Sequence, residues 1–351
     1  PKYDTQEAVF ESILNDLRKA SDLFSEASSF NGDPVYNGDP SLWQKAANSF
    51  SLRVLNMLSK KENVGSINVR TMFEEMALRP LFTSEAESYQ RVYSADKSAQ
   101  WYPFYWEKQN YWTYPFMTSF IVDMMKKLED RRLFYYAEPA KALVSKGEDS
   151  FDAYSGVNPV LAYGVVQDEC ANGLHSAINK RYFQIAEGEP VKFIAYSEIQ
   201  FVLAEAALRG WKTPQSAKEH YENAVRAALQ FTAKYTPAEY SHQVVIDDAY
   251  IDQYLQGKAA FNASLEQIIE QKFIGSVFQL SFNSYYDYRR IGLPKIPIDA
   301  QTNMNEVKDQ LPLRWMYPED EYSRNRENIE EAINRQFGGN DTPNDVMWLL
   351  K

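Results

Sequence analysis

A single cysteine, Cys170, stands in 351 residues, so no disulfide can form within the chain. A lone cysteine of this kind is expected as a small buried apolar side chain rather than as a nucleophile. Histidine is nearly as scarce, at positions 175, 220 and 242 only. None of the three is spaced for HExxH or a paired-imidazole site, which argues against a histidine-based zinc centre. No metal and no cofactor is expected. Missing too are GxSxG, the phosphate-loop GxxxxGKS/T and GxGxxG, so the common hydrolase and nucleotide-binding chemistries have no signature here. No apolar run approaches the roughly 18 residues that suggest a membrane-spanning helix. Clusters of Lys/Arg are absent, and the formal net charge is −11. Such a surface repels phosphate backbones and anionic headgroups, which argues against nucleic acid and peripheral lipid as partners. Neutral or cationic ligands remain.

What the chain has instead is aromatic side chains: 24 Tyr, 20 Phe and 7 Trp, 15% of all residues. They concentrate in Trp101-Tyr102-Pro103-Phe104-Tyr105-Trp106 and Tyr111-Trp112-Thr113-Tyr114-Pro115-Phe116, where nine of sixteen residues are aromatic. The only charges between them are Glu107 and Lys108. Pro103 and Pro115 hold this backbone away from helix. Rings on a stiff loop lose little entropy on contact, and Trp and Tyr join an apolar face to a polar tip. A sugar ring suits such a platform, its C–H face on the aromatic and its hydroxyls toward Gln109, Asn110 or Glu107. The candidate ligand-binding residues are therefore Trp101, Tyr102, Tyr105, Trp106, Gln109, Asn110, Tyr111, Trp112 and Tyr114. Large aromatics are usually well buried, so only a few of these rings are expected to face ligand, the rest pinning the loop.

Elsewhere the pattern is mostly helical. Asp4 is placed to cap a helix carrying Val9, Phe10, Ile13, Leu14, Leu17 and Phe24 at helical spacing. Asp39 caps the next, with Pro40 in the first helical position. A shorter helix is expected over about 67–77. Residues 94–115 lack a helical period, and spacing resumes from Phe116. Residues 138–190 read as irregular, with short strands expected around Leu161–Val166 and Tyr182–Ile185. Tyr196–Arg209 forms a helix stopped by Gly210, and Pro214 opens its partner. This hairpin resembles one tetratricopeptide-type unit. Ser264-Leu265-Glu266-Gln267 has the form of a capping box opening a helix through Leu280, with Gly275 inside it calling for a closely packed neighbour. A last helix is expected near Arg326–Gln336.

The pair Arg289-Arg290, like Arg314, is expected to tie local carboxylates and carbonyls rather than to grip an anion. The acidic pairs Glu129-Asp130 and Asp247-Asp248, with Glu319-Asp320-Glu321, are expected as solvated or helix-terminal charges. A glycosidase needs two carboxyls from separate segments about 5–9.5 Å apart, which sequence does not reveal.

Several ordered segments together resemble the SusD/RagB family of outer-membrane nutrient-binding lipoproteins. They include Tyr36-Asn37-Gly38-Asp39-Pro40-Ser41-Leu42-Trp43, Ala47-Asn48-Ser49-Phe50-Ser51-Leu52-Arg53 and Ala204-Glu205-Ala206-Ala207. Tyr286-Asp287-Tyr288-Arg289-Arg290-Ile291-Gly292-Leu293-Pro294 and Leu313-Arg314-Trp315-Met316-Tyr317-Pro318 continue the pattern. Glu129-Asp130-Arg131-Arg132-Leu133 is similar to the family's Asp-Pro-Arg-Leu element, with Arg131 where Pro is usual.

The resemblance implies a mainly α fold: a tetratricopeptide-like helical-repeat superhelix with long irregular ligand-side loops and few short strands. It implies one SusD-like domain over 1–351, with scaffold at about 1–80, 116–130, 196–230 and 264–290. The loop-rich ligand side would then lie at about 94–115, 138–190 and 291–325. It further implies a non-catalytic, cell-surface subunit lipid-anchored in the outer membrane, binding oligosaccharide and delivering it to a SusC-like TonB-dependent barrel. Peptide capture for the same kind of importer, an all-helical glycosidase and a pure interaction scaffold are the alternatives. Family members carry a signal peptide, a lipidated cysteine and further residues ahead of this point, so the chain is expected to be a fragment.

Overall fold

The computed structural model describes residues 1–108, 115–279 and 282–351. Among them lie fifteen α-helices and four short strands. The mainly helical expectation holds. The chain divides into two compact units, the first made of Pro1–Phe82, Ala206–Pro214 and Tyr285–Lys351. The second comprises Thr83–Glu205 and Gln215–Ser284.

In the first unit, helices Gln6–Ser25 and Pro40–Met57 pack against each other. Leu14, Leu52, Leu55 and Leu58 are buried. Asp39 caps the second helix, its carboxylate accepting the Ser41 N–H at 2.8 Å. The first is capped by Thr5 and not Asp4: the Thr5 hydroxyl accepts the Ala8 N–H at 3.1 Å. A hairpin of Asn63–Val64 with Ile67–Asn68 precedes helix Val69–Met76, so Ile67 belongs to a strand.

The paired arginines are tied as expected. Arg290 donates to Asp287 at 2.7 Å and Ser59 at 3.0 Å, and Arg289 to the Leu313 carbonyl at 2.9 Å. Arg314 pairs with buried Asp341. Glu319, Asp320 and Glu321 fill the first turn of Glu319–Arg324, where the helix dipole favours negative charge.

In the second unit, Ala217–Lys234 opens at a reciprocal capping box of Ser216 and Glu219, so Pro214 precedes the helix rather than opening it. Ser264 accepts the Gln267 N–H and opens Leu265–Gly275. That helix stops at Gly275, short of the expected end at Leu280, which lies outside the described residues. A Cβ on Gly275 would sit 3.3 Å from the Ala228 methyl, so the glycine lets two helices come close.

The strands expected at 161–166 and 182–185 are corrected. Tyr163–Ala171 and Arg181–Gln184 are helical. Short apolar runs carry no period that separates strand from helix, and Tyr163 and Val165 are exposed, not buried in a sheet. The strand actually present, Val191–Ile194, pairs antiparallel with Tyr89–Arg91. Cys170 is a buried free thiol. Asp247 caps Asp248–Gln256, as a helix-terminal acid should. Asp130 departs from that expectation: it is fully buried against Arg132, because an ion pair and four further hydrogen bonds compensate its desolvation.

Candidate functional site

The aromatic loop of the second unit is held by its own backbone and by the segment around residue 186. The Tyr102 N–H donates to the Ala186 carbonyl at 2.7 Å, and Tyr105 N–H to the Tyr102 carbonyl at 3.0 Å. Ser94 N–H reaches the Gln100 carbonyl at 2.9 Å, and the Trp101 indole N–H donates to the Ala95 carbonyl at 3.1 Å. These bonds close two short turns whose rings diverge.

One set of rings forms a ledge. Tyr105 meets Trp101 edge-on with centroids 5.0 Å apart, and Trp106 lies 6.4 Å from Tyr105. Trp101 and Tyr105 are half-buried, and Trp106 is 59% exposed. Polar groups stand at its rim: the Tyr105 hydroxyl donates to Glu107 at 3.2 Å. Partial desolvation, with the carboxylates of Glu107 and Glu187, pushes the Tyr105 phenol upward. It therefore stays protonated and able to donate at neutral pH.

The other set is core. Tyr102 is fully buried, edge-on to Tyr93 and Phe104, so its assignment as a ligand contact is corrected. Its side chain turns inward while Trp101 and Tyr105 on either side of the turn stay half-buried. Its hydroxyl has no hydrogen-bond partner among the described residues, and burial, then the Glu189 charge, raises its pKa. Gln109, Asn110, Tyr111, Trp112 and Tyr114 lie outside the described residues.

Sequence reading missed the residue on which Tyr102 rests. Gly188 has φ +51°, and a Cβ there would fall 2.3 Å from the Tyr102 ring. Only glycine fits both constraints. Gly188→Ala is expected to cost about 2 kcal/mol through overpacking. An unchanged thermal midpoint would show that Tyr102 can swing aside. No local motif marks Gly188, because the ring it accommodates is 86 positions earlier. Beneath lies a buried ion pair, Arg181 to Glu189 at 2.8 Å, which Gln279 caps.

With this geometry defined, comparison places the chain among known proteins. A family model described as starch-binding proteins associating with the outer membrane, SusD-like, matches residues 1–318. The chain belongs to the SusD-like family. A SusD homologue of Bacteroides fragilis is 39% identical, with TM-score 0.95, covering 100% of this chain and 76% of that one. Another from the same species is 33% identical, with TM-score 0.88 and coverage of 100% and 77%. A chitin-binding protein is 27% identical, with TM-score 0.79 and coverage of 100% and 74%. No curated protein matches the chain.

SusD-like proteins are nutrient- or glycan-binding outer-membrane proteins, a generally non-enzymatic family that associates with SusC-like transporters. This SusD-like chain shares their helical, tetratricopeptide-like fold. No helix among the described residues is long and apolar enough to cross a membrane.

Proposed function

We propose that this SusD-like chain is the non-catalytic glycan-capturing subunit of a TonB-dependent import system, lipid-anchored at the cell surface beside a SusC-like barrel. The observation that carries the reading is the ledge of Trp101, Tyr105 and Trp106 on a hydrogen-bonded loop, with Glu107 and Glu187 at its rim. The apolar C–H face of a sugar lies on the exposed indole of Trp106. Rim carboxylates and the Tyr105 hydroxyl exchange hydrogen bonds with its hydroxyls, so both halves of an amphiphilic ring are matched. The loop is already pinned before ligand arrives, which keeps the entropic cost of binding low. The chitin-binding neighbour supports a saccharide ligand. Gln109, Asn110, Tyr111, Trp112 and Tyr114 follow directly in the chain and extend the proposed contact set.

The test is native-gel retardation by a panel of soluble polysaccharides, including starch, mannan, xylan and host-type glycans. Trp101→Ala, Trp106→Ala and Trp112→Ala are run beside the parent chain. Selective retardation is expected, with Trp106→Ala weakening affinity about tenfold or more, as loss of a central aromatic contact does. Retardation unchanged in all three variants would put the site elsewhere. The net charge of −11 favours cationic peptide as the second reading. Peptide that displaces glycan, or binds where no glycan does, would select it.

A further inference from the structure

A cleft of about 590 Å³ opens in the same unit, within the size range of small-ligand sites. Phe116, Val144 and Ile178 supply an apolar wall, and Cys170 lies in its lining. Lys141, Glu138 and His175 bring polar groups to it. His175 is oriented by Glu169 at 2.9 Å and Ser155 at 3.3 Å, and Glu138 accepts the Lys180 N–H at 3.0 Å. Lys141 makes no ion pair among the described residues.

One segment links the cleft to the backbone anchor of the aromatic loop. Phe183 lines it, and three residues later the Ala186 carbonyl holds Tyr102 in the aromatic loop. Three residues span at most about 10 Å, so Phe183 and that anchor lie near each other. The cleft is a candidate second contact for a long glycan held on Trp106 and Tyr105.

An unsubstituted sugar is a poor occupant. Its hydroxyls ring the whole molecule, and those turned to the apolar wall would lose water without gaining a partner. A sugar bearing an acyl group matches both sides, placing its methyl on the wall and its carbonyl and hydroxyls toward Lys141 and Glu138. We infer that this cleft, resting on the oligosaccharide reading above, selects glycans that carry acyl substituents such as N-acetyl groups.

The probes are two neutral β-linked hexamers, N-acetylchitohexaose and cellohexaose, titrated calorimetrically. The acetylated hexamer is expected to bind about fourfold more tightly, the worth of burying one methyl group. Ala171→Phe places a ring at the cleft from an exposed helical position, where substitution is well tolerated. It is expected to erase the preference while leaving cellohexaose affinity unchanged. As a second readout, the acetylated hexamer should slow alkylation of Cys170, the only cysteine, by iodoacetamide, and cellohexaose should not. Equal affinities for the two hexamers, or a preference that survives Ala171→Phe, overturn the inference while ledge binding stands. Failure of both hexamers to bind the parent chain overturns the oligosaccharide reading and this inference with it.

Discussion

Asp130→Ala is expected to destabilise the protein by about 3–5 kcal/mol, the usual cost of leaving one member of a buried ion pair unpaired. Both partners are completely inaccessible to solvent. The Arg132 Nε lies 3.0 Å from Asp130 Oδ1, and its Nη2 donates to the other carboxylate oxygen. Gln271 accepts from the same Nη2 at 2.7 Å, and the Tyr254 hydroxyl donates to Asp130 at 2.8 Å. Gln271 in turn donates to Tyr254 at 2.9 Å, closing the ring of bonds. Burial works against the guanidinium charge, but Asp130's charge and hydrogen bonds outweigh it, and the Arg132 pKa rises. Alanine at 130 would leave that cation with nothing to neutralise it. Urea unfolding measures the loss as a shift in midpoint at constant slope. The double variant Asp130→Ala with Arg132→Leu should recover part of it, since removing both charges removes the uncompensated one. A loss under 1 kcal/mol for Asp130→Ala would mean that water reaches Arg132.

Acid is expected to weaken the fold through His220, by about 2–3 kcal/mol between pH 6.5 and 4.5. His220 is buried, with Nδ1 2.7 Å from Gln200 Oε1 and Nε2 accepting the Gln215 N–H at 3.3 Å. Those partners require a neutral ring that donates from Nδ1. A proton on Nε2 would face the Gln215 N–H. Burial lowers the pKa to about 4, and the nearby Glu219 charge offsets only part of that. Below pH 6.5 the unfolded chain takes up a proton that the folded chain refuses until about pH 4. The contribution is therefore complete above pH 6.5 and drains away as pH falls to 4. In His220→Gln, the difference in unfolding free energy between pH 7 and pH 4.5 should shrink by that amount. An identical pH dependence in variant and parent would show that the folded state accommodates imidazolium.

The readable parts of this chain were those governed by near neighbours. Asp39-Pro40 and Ser264 opened helices where expected, and Gly210 ended one at φ +77°. Cap and stop signals act over three or four residues, within reach of inspection. Pro214 misled because Ser216 and Glu219, two and five residues on, formed the stronger reciprocal cap. The segment 161–166 misled because its apolar residues imitate a strand, yet among the described residues no partner strand pairs with them.

Tyr102 and Trp106 show the limit most clearly. They are near-equivalent aromatics four positions apart, one fully buried and the other 59% exposed. Which ring turns inward depends on a space above Gly188, and that space comes from a segment far along the chain. Asp130 likewise reads as half of an acidic pair until Arg132, Tyr254 and Gln271 are brought around it.

By itself, the sequence determined the family, the helical scaffold and the tied arginines, since each rests on residue types in local order. Tertiary structure alone decided which rings form the ledge, that an apolar cleft opens in the same unit, and which charges are buried. Those properties depend on desolvation and steric fit between segments distant in the chain, and local pattern carries no record of such distances.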